Sequence, residues 1–281
     1  MTLNVQSYNF TGAEQGPNIL ILGAIHGNEK CGTKAIKAIM ARLNSGDLSL
    51  KSGRITFVPI CNPRAYAENK RYIDVNLNRV IGHHDGAVHY EQHLANEIAA
   101  LIDAHDFVLD LHSIHSQSAA FAFLDDPHPD AQALCAHLDV EVILTGWPEM
   151  YEASEDCTTQ EYAGRLGKGA VTVECGQHDD PAAIDAALDA IIKTCAFFDM
   201  IDQKITPNAQ SMFIQAKHKI VKNAAGQLIE PMEHLSIVRK GDVLANYEDG
   251  SSVNADEDGY ILLPFKEANI GDEWFYIGSA A

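Results

Sequence analysis

The stretch from residue 18 to residue 43 constrains the fold of this 281-residue chain more than any other. Ile19–Ala24 is a short run of β-type apolar residues, and His26-Gly27-Asn28-Glu29 ends it abruptly. A helix-like run, Lys30–Leu43, follows at once. A strand that stops at a His and a Glu, directly before a helix, puts both side chains at the carboxyl edge of a sheet. Open α/β folds keep their ligand sites at that edge. Imidazole nitrogen and carboxylate oxygen are both zinc donors, and a catalytic zinc needs three protein ligands and one open position.

A third ligand and a base are therefore sought. Phe107–His112, FVLDLH, is a second short apolar run with His112 near its end. On a neighbouring strand, His112 would reach the same edge as His26 and Glu29. A lone His at a strand end is ordinarily just hydrogen-bonded in a loop, and HxxE is common by chance. HGNE after one strand and DLH after another is a more specific pattern. Ala170–Gly176, AVTVECG, is a third buried-type strand that carries Glu174. A charged residue in such a run is costly unless paired or useful. Beside a zinc site it can take a proton from water and return it to a leaving amine. The bland alternative is a strand-end Glu paired with a surface Lys or Arg.

Positive charge gathers in one segment. Asn62-Pro63-Arg64-Ala65 leads through Arg71-Tyr72-Ile73-Asp74 to Asn76-Leu77-Asn78-Arg79. Read as a loop, its arginines suit a carboxylate or a developing oxyanion. Solvated loop arginines are the ordinary alternative. HGNE, NPRA with RYIDVNLNR, DLH and VECG stand in the order found in the succinylglutamate desuccinylase/aspartoacylase family, which the chain resembles over roughly Ile19–Gly176.

The resemblance implies a zinc carboxypeptidase-like fold and one zinc ion held by His26, Glu29 and His112. It implies Glu174 as general base and then acid, and Arg64 as the group that polarises the scissile carbonyl. Asn78 and Arg79 would hold a substrate carboxylate. Arg165 lies near, but not on, the position of a further substrate-binding Arg. The chain departs from the family at Ser113-Ile114-His115-Ser116 and at Asn269-Ile270 after Glu267-Ala268, so neither family specificity carries over. His115 becomes a candidate substrate contact. The implied reaction is hydrolysis of a small anionic N-acyl amino acid or related acylated amine. A carboxypeptidase acting on peptides or cell-wall fragments, and a non-catalytic relative that binds acidic ligands, are the alternatives.

The net charge of −19 opposes binding to nucleic acid or to anionic membranes. The arginine cluster would have to reverse that field locally for an anionic substrate. The six cysteines form no CxxC and read as reduced thiols of a cytoplasmic protein. No signal peptide or bilayer-length apolar run is evident. A homo-oligomer is compatible with the sequence. His83, His84, His89 and His93 read as a solvated loop leading into a helix, with a second metal as the alternative.

Strand-like and helix-like runs alternate up to about residue 205, which predicts a mixed, mostly parallel sheet between helices. Helix-like runs include Tyr90–Ala104, Asp130–Leu138 and Pro181–Asp202, the last opened by Asp180 as N-cap. Beyond Thr206 short β-type runs alternate with turn signals such as Asp249-Gly250 and Asp258-Gly259. The expected organisation is a zinc hydrolase α/β domain over 1–205 and a small all-β, barrel-sandwich-like domain over 206–281.

Overall fold

Side-chain alternation decides which apolar residues enter which layer. In β2 (Glu14–Gly23), Ile19 and Ile21 point into one apolar layer, and Leu20 and Leu22 into the other. Both faces of the strand are covered, which is why it reads as an unbroken apolar run. The computed structural model describes residues 4–125, 128–150, 157–207 and 211–281. Its remaining strands are β1 (Tyr8–Thr11), β3 (Ser52–Val58), β4 (Phe107–Ile114), β5 (Phe121–Phe123), β6 (Val142–Thr145) and β7 (Gly169–Gln177). Then come β8 (Met212–Val221), β9 (Gly226–Leu228), β10 (Ile237–Val238), β11 (Val243–Tyr247), β12 (Ser252–Asn254), β13 (Gly259–Leu262) and β14 (Glu273–Ala280). The helices are α1 (Cys31–Ser45), α2 (Pro63–Glu68), α3 (Tyr90–Asp103), α4 (Pro129–Cys135), α5 (Thr159–Arg165) and α6 (Ala182–Phe197).

Among the described residues one 11-stranded mixed sheet runs in the order β1-β3-β2-β4-β7-β5-β6-β8-β14-β13-β10. Its heart, β3-β2-β4-β7, is parallel. Helices α1 and α6 pack on one face through Ile36, Ile39, Ala187 and Ile191. Helices α3 and α5 pack on the other through Leu94, Ile98, Ile102 and Ala163. The expected α/β architecture with mixed sheet and flanking helices is therefore present, as is a β-rich carboxyl-terminal region with a second sheet, β12-β11-β9. Pro181 rather than the expected Asp180 takes the N-cap position of α6, and the Asp180 side chain accepts from the Ala182 backbone N–H at 2.9 Å. Among the described residues no helix is long and apolar enough to cross a membrane. All six cysteines are buried.

Residues beyond 206 continue the sheet. Strand β8 runs parallel to β6 on one side and antiparallel to β14 on the other. Ile214 and Ala216 of β8 share an apolar cluster with Phe121, Phe123 and Leu144. A separate cluster around the buried Trp274 and Phe275 belongs to this region alone. We propose that the division near residue 206 separates two cores on one sheet. A chain ending at residue 205 would strip Ile214 and Ala216 from the shared cluster and bare the β6 edge. It should aggregate, or unfold at clearly lower urea concentration than the full chain. Cooperative unfolding at the full-length midpoint would show two independent bodies instead.

Candidate active site

Strand register brings the distant motifs together. Gly23 of β2 stands opposite Leu111 of β4, and His112 opposite Glu174 of β7. The three parallel strands thus end side by side, and their last residues share one edge. His26 and Glu29 lie in the short connection between β2 and α1. Gly27 makes that connection possible. A Cβ there would lie 2.1 Å from the Ala65 carbonyl carbon of α2, so only glycine admits the close backbone approach. The Gly27 N–H also donates to the Arg71 carbonyl at 3.1 Å.

The resulting donor set is Nδ1 of His26, Nδ1 of His112 and the Glu29 carboxylate. Glu29 Oε1 lies 2.8 Å from His26 Nδ1, and Oε2 lies 2.8 Å from His112 Nδ1. All three side chains are buried, with exposures of 2 % each, and their ligand atoms lie within 4.8 Å of one another. Each outer ring nitrogen faces an oxygen from behind. His26 Nε2 is 2.9 Å from Asn76 Oδ1, an oxygen also fixed by the Asn78 N–H at 3.0 Å. That oxygen is an acceptor, so Nε2 carries the proton and Nδ1 presents its lone pair. His112 Nε2 lies 3.0 Å from Asp110 Oδ2, which also accepts from the Thr159 hydroxyl at 2.6 Å. An imidazole backed by a carboxylate, with its other nitrogen turned inward, is the arrangement that metal ligands adopt. His26 Nδ1 and His112 Nε2 have no directed hydrogen bond despite their nearness to Glu29 and Asp110. The donor set fits one divalent zinc-like ion.

The electrostatics agree with a place for a cation. Burial alone raises the Glu29 pKa, but His26 and His112 outweigh it and hold the carboxyl well below its usual range. Burial lowers the His112 pKa, yet Asp110 and Glu29 outweigh it and raise it well above the ordinary value. A proton on His112 therefore stands where a cation would satisfy the same two carboxylates. His26 is pushed down to about 4, by burial first and then by Arg71.

Glu174 is 9 % exposed, and its Oε2 has no hydrogen-bond partner among the described residues. Burial first, with repulsion from Glu29, pushes its pKa up to about 8. A carboxyl of that kind at the cluster's edge is poised to exchange protons near neutrality.

The basic segment is not a loop throughout. Asn62 accepts from the Ala65 N–H at 3.2 Å and Pro63 takes the first helical position, so residues 63–68 wind into α2. Winding turns Arg64 outward. It is exposed, with Nε 3.2 Å from Glu68 Oε1 and its guanidinium over the Tyr90 ring. The arginine at the cluster is Arg71, whose Nη1 lies 2.8 Å from Glu29 Oε1. Its place depends on Glu91 at the start of α3, which is fully buried. The Glu91 carboxylate accepts from the N–H groups of Ile73, Asp74 and Val75 at 2.7, 3.0 and 3.2 Å, and from the Asn62 side chain at 3.2 Å. One buried carboxylate thus folds the 71–76 segment so that Arg71 and Asn76 both face the histidines.

The other expected residues are placed as follows. Asn78 is buried and its Oδ1 accepts from the Thr159 N–H at 3.1 Å, tying the segment to α5. Arg79 is half-buried, donates to the Asn78 carbonyl at 2.9 Å and lies 3.9 Å from Glu273. Arg165 is exposed in the last turn of α5. His115 stacks on Phe265 with ring centroids 4.4 Å apart and meets the edge of His178 at 4.5 Å. Burial there, with His178 and Arg71 nearby, pushes its pKa down. The histidine-rich stretch disperses: His83 meets Asp103, His84 meets the Val80 carbonyl, and His89 starts α3. The sequence reading assigned no role to Asn76, Glu91, Asp110 or His178, and Arg71 was present only as one arginine among three. The Asp-x-His spacing was the available signal for Asp110, since residues two apart on a strand share a face.

A family model of the succinylglutamate desuccinylase/aspartoacylase catalytic domain matches residues 15–193. A probable aspartoacylase of Acaryochloris marina is 30 % identical over 128 residues, covering 43 % of this chain and 42 % of the relative. The N-alpha-acetyl-L-2,4-diaminobutyric acid deacetylase of Halomonas elongata is 35 % identical over 104 residues, covering 35 % of this chain and 29 % of the relative. These alignments thus span less than half the length of the curated relatives. The ectoine utilization protein EutE (DoeB) of Ruegeria pomeroyi superposes with a TM-score of 0.80 at 18 % identity, covering 97 % of this chain and 88 % of that one. At that identity the likeness is one of fold.

Two outcomes follow from the geometry. Asp110→Asn removes the charge behind His112, and zinc affinity, read by competition with a chelator, should fall about 10–100-fold. Glu91→Gln sets an amide N–H₂ against backbone donors, and urea unfolding should show a loss of about 1.5–3 kcal/mol.

Proposed function

We propose that this chain, which belongs to the succinylglutamate desuccinylase/aspartoacylase family, hydrolyses the amide bond of a small N-acyl amino acid or related acylated amine with one zinc ion held by His26, Glu29 and His112. Relatives named as deacylases support an amide hydrolase. The observation that carries the finer reading is the juxtaposition of an unpartnered, buried Glu174 with that donor set on adjacent strands. A non-catalytic binding relative has no need of such a group.

When bound, zinc supplies Lewis acidity towards the acyl oxygen and acidifies water. The chain's own residues do the rest. Glu174 takes a proton from the attacking water. It then gives that proton to the departing nitrogen, a return that a proton affinity raised by burial favours. Arg71 holds the negative charge that develops on the acyl oxygen. We assign this role to Arg71 rather than Arg64, because α2 turns Arg64 to solvent. Arg79, held by the Asn78 carbonyl, is proposed to orient a substrate carboxylate, and His115 with Phe265 to wall the cleft. Arg165, on the outside of α5, is left without a part in substrate binding. Water exclusion comes from the carboxyl-terminal region, whose Phe265 reaches the site edge.

Glu174→Gln should retain zinc by elemental analysis and lose about 10²–10⁴-fold in kcat on an acyl amino acid panel. Near-normal turnover in that variant would remove Glu174 from the chemistry. Arg71→Ala should lower kcat by about 10²–10³-fold, whereas Arg64→Ala, a surface change, should stay within about twofold. The reverse ranking would restore Arg64 to the oxyanion role.

A further inference from the structure

Arg79 and Glu273 bring opposite charges together from two regions of the chain. Arg79 ends the short helical turn that contains Asn78 and donates to the Asn78 carbonyl at 2.9 Å. Asn78 in turn donates its N–H to Asn76 Oδ1, the oxygen that faces His26 Nε2. The guanidinium is thereby tied to the residue that backs one of the two imidazoles. Glu273 opens β14, opposite Val221 of β8. Its neighbour Trp274 is fully buried, and the Trp274 carbonyl accepts from the Phe265 N–H at 2.9 Å. Phe265 stacks on His115. Strand pairing and core packing therefore fix where the carboxylate stands, in the same corner as the aromatic wall.

Arg79 Nη2 lies 3.9 Å from Glu273 Oε1, beyond hydrogen-bond length, and the two side chains are 22 % and 40 % exposed. Solvent, and so a small ligand, reaches both charges. A substrate carboxylate on Arg79 would stand beside the Glu273 carboxylate, and like charges at such a spacing repel. A substrate with two carboxylates needs a second cation, and other basic groups of this half of the molecule are committed elsewhere. Arg64 pairs with Glu68, and Arg71 with Glu29. Arg165 is exposed in the last turn of α5. Lys222, which follows β8, donates to the Ala268 carbonyl at 2.9 Å and lies over the Trp274 ring. A substrate with one carboxylate and one ammonium group meets an opposite charge for each. Attraction of one group and repulsion of the other are together what specificity requires.

We propose that Arg79 and Glu273 form a two-charge rim that selects N-acyl amino acids bearing a free ammonium group and disfavours those bearing a second carboxylate. The proposal rests on the deacylase reading above and adds the charge of the substrate's distal end. Glu273 is a binding residue away from the reacting atoms, so the selection falls on KM and leaves kcat nearly unchanged.

The test uses the zinc-loaded full chain and three N-acetyl amino acids of equal length, whose side chains end in an ammonium, a methyl or a carboxylate group. The wild type should show a KM for the ammonium compound about three- to tenfold below that for the methyl compound, with the carboxylate compound highest and kcat values within about twofold. Glu273→Gln should erase the gap between the ammonium and methyl compounds, and Glu273→Lys should place the carboxylate compound first. Calorimetry in the Glu174→Gln background should give the same ranking as binding constants, without turnover. A wild type that ranks the three equally, favours the carboxylate compound, or cleaves other acyl amino acids but none of these would overturn the proposal and leave the deacylase reading intact. Equal losses on all three compounds in Glu273→Gln would make Glu273 a brace for Arg79 and would also overturn it. A wild type that cleaves no acyl amino acid at all would overturn both readings.

Discussion

The structure around the site depends on one buried carboxylate. Glu29 meets Nδ1 of both histidines at 2.8 Å and Arg71 at 2.8 Å, and its Oε2 also accepts from the Ser113 N–H at 3.2 Å. Burial at 2 % exposure would make an isolated carboxylate strongly unfavourable. Here the cost is offset because three donors, His112 Nδ1, Arg71 Nη1 and the Ser113 N–H, converge on it from two separate segments. Removing Glu29 would leave an imidazole and a guanidinium without their shared acceptor. The same convergence places two nitrogens and two oxygens around a space suited to one divalent ion.

Two more buried carboxylates extend the principle outward. Asp110 stands behind His112 and accepts from Thr159, which links His112 to the start of α5. Glu91 gathers three consecutive backbone N–H groups of the 73–75 segment. That grip turns Arg71 and Asn76 towards the histidines. A strongly acidic chain thus uses some of its acid internally, as anchors for backbone and imidazole, and leaves the site itself with an inward-facing guanidinium. Glu174 differs from these anchors because its Oε2 is unpartnered. An anchor has its partners already in the fold, whereas a proton carrier must find one in the reaction.

Much of this was legible in the residues alone. Unbroken apolar runs ending at His26, His112 and Glu174 identified strands buried on both faces, and parallel register then forced their ends together. The alternation of helix and strand patterns gave the layered architecture. The placement of Arg64 in a loop was misread because Asn62 and Pro63 start a helix, a cap signal hidden inside what reads as a basic loop. Arg71 could not be preferred over Arg64 or Arg79 without the Glu91 contacts, which join residues distant in the chain. The joining of β6 to β8 was equally hidden, because a composition change near residue 206 marks a change of core and does not reveal which strands pair across it.

The central claim is that two imidazoles and one carboxylate hold a single ion while one coordination position stays available beside Glu174. Zinc-edge X-ray absorption on the protein loaded with one equivalent of zinc tests it directly. The account predicts a first shell of nitrogen and oxygen only, about four atoms at roughly 2.0–2.2 Å, with imidazole scattering from two rings. A sulfur atom at about 2.3 Å, which would bring Cys31 or Cys175 into the shell, or scattering from more than two imidazoles, would contradict it.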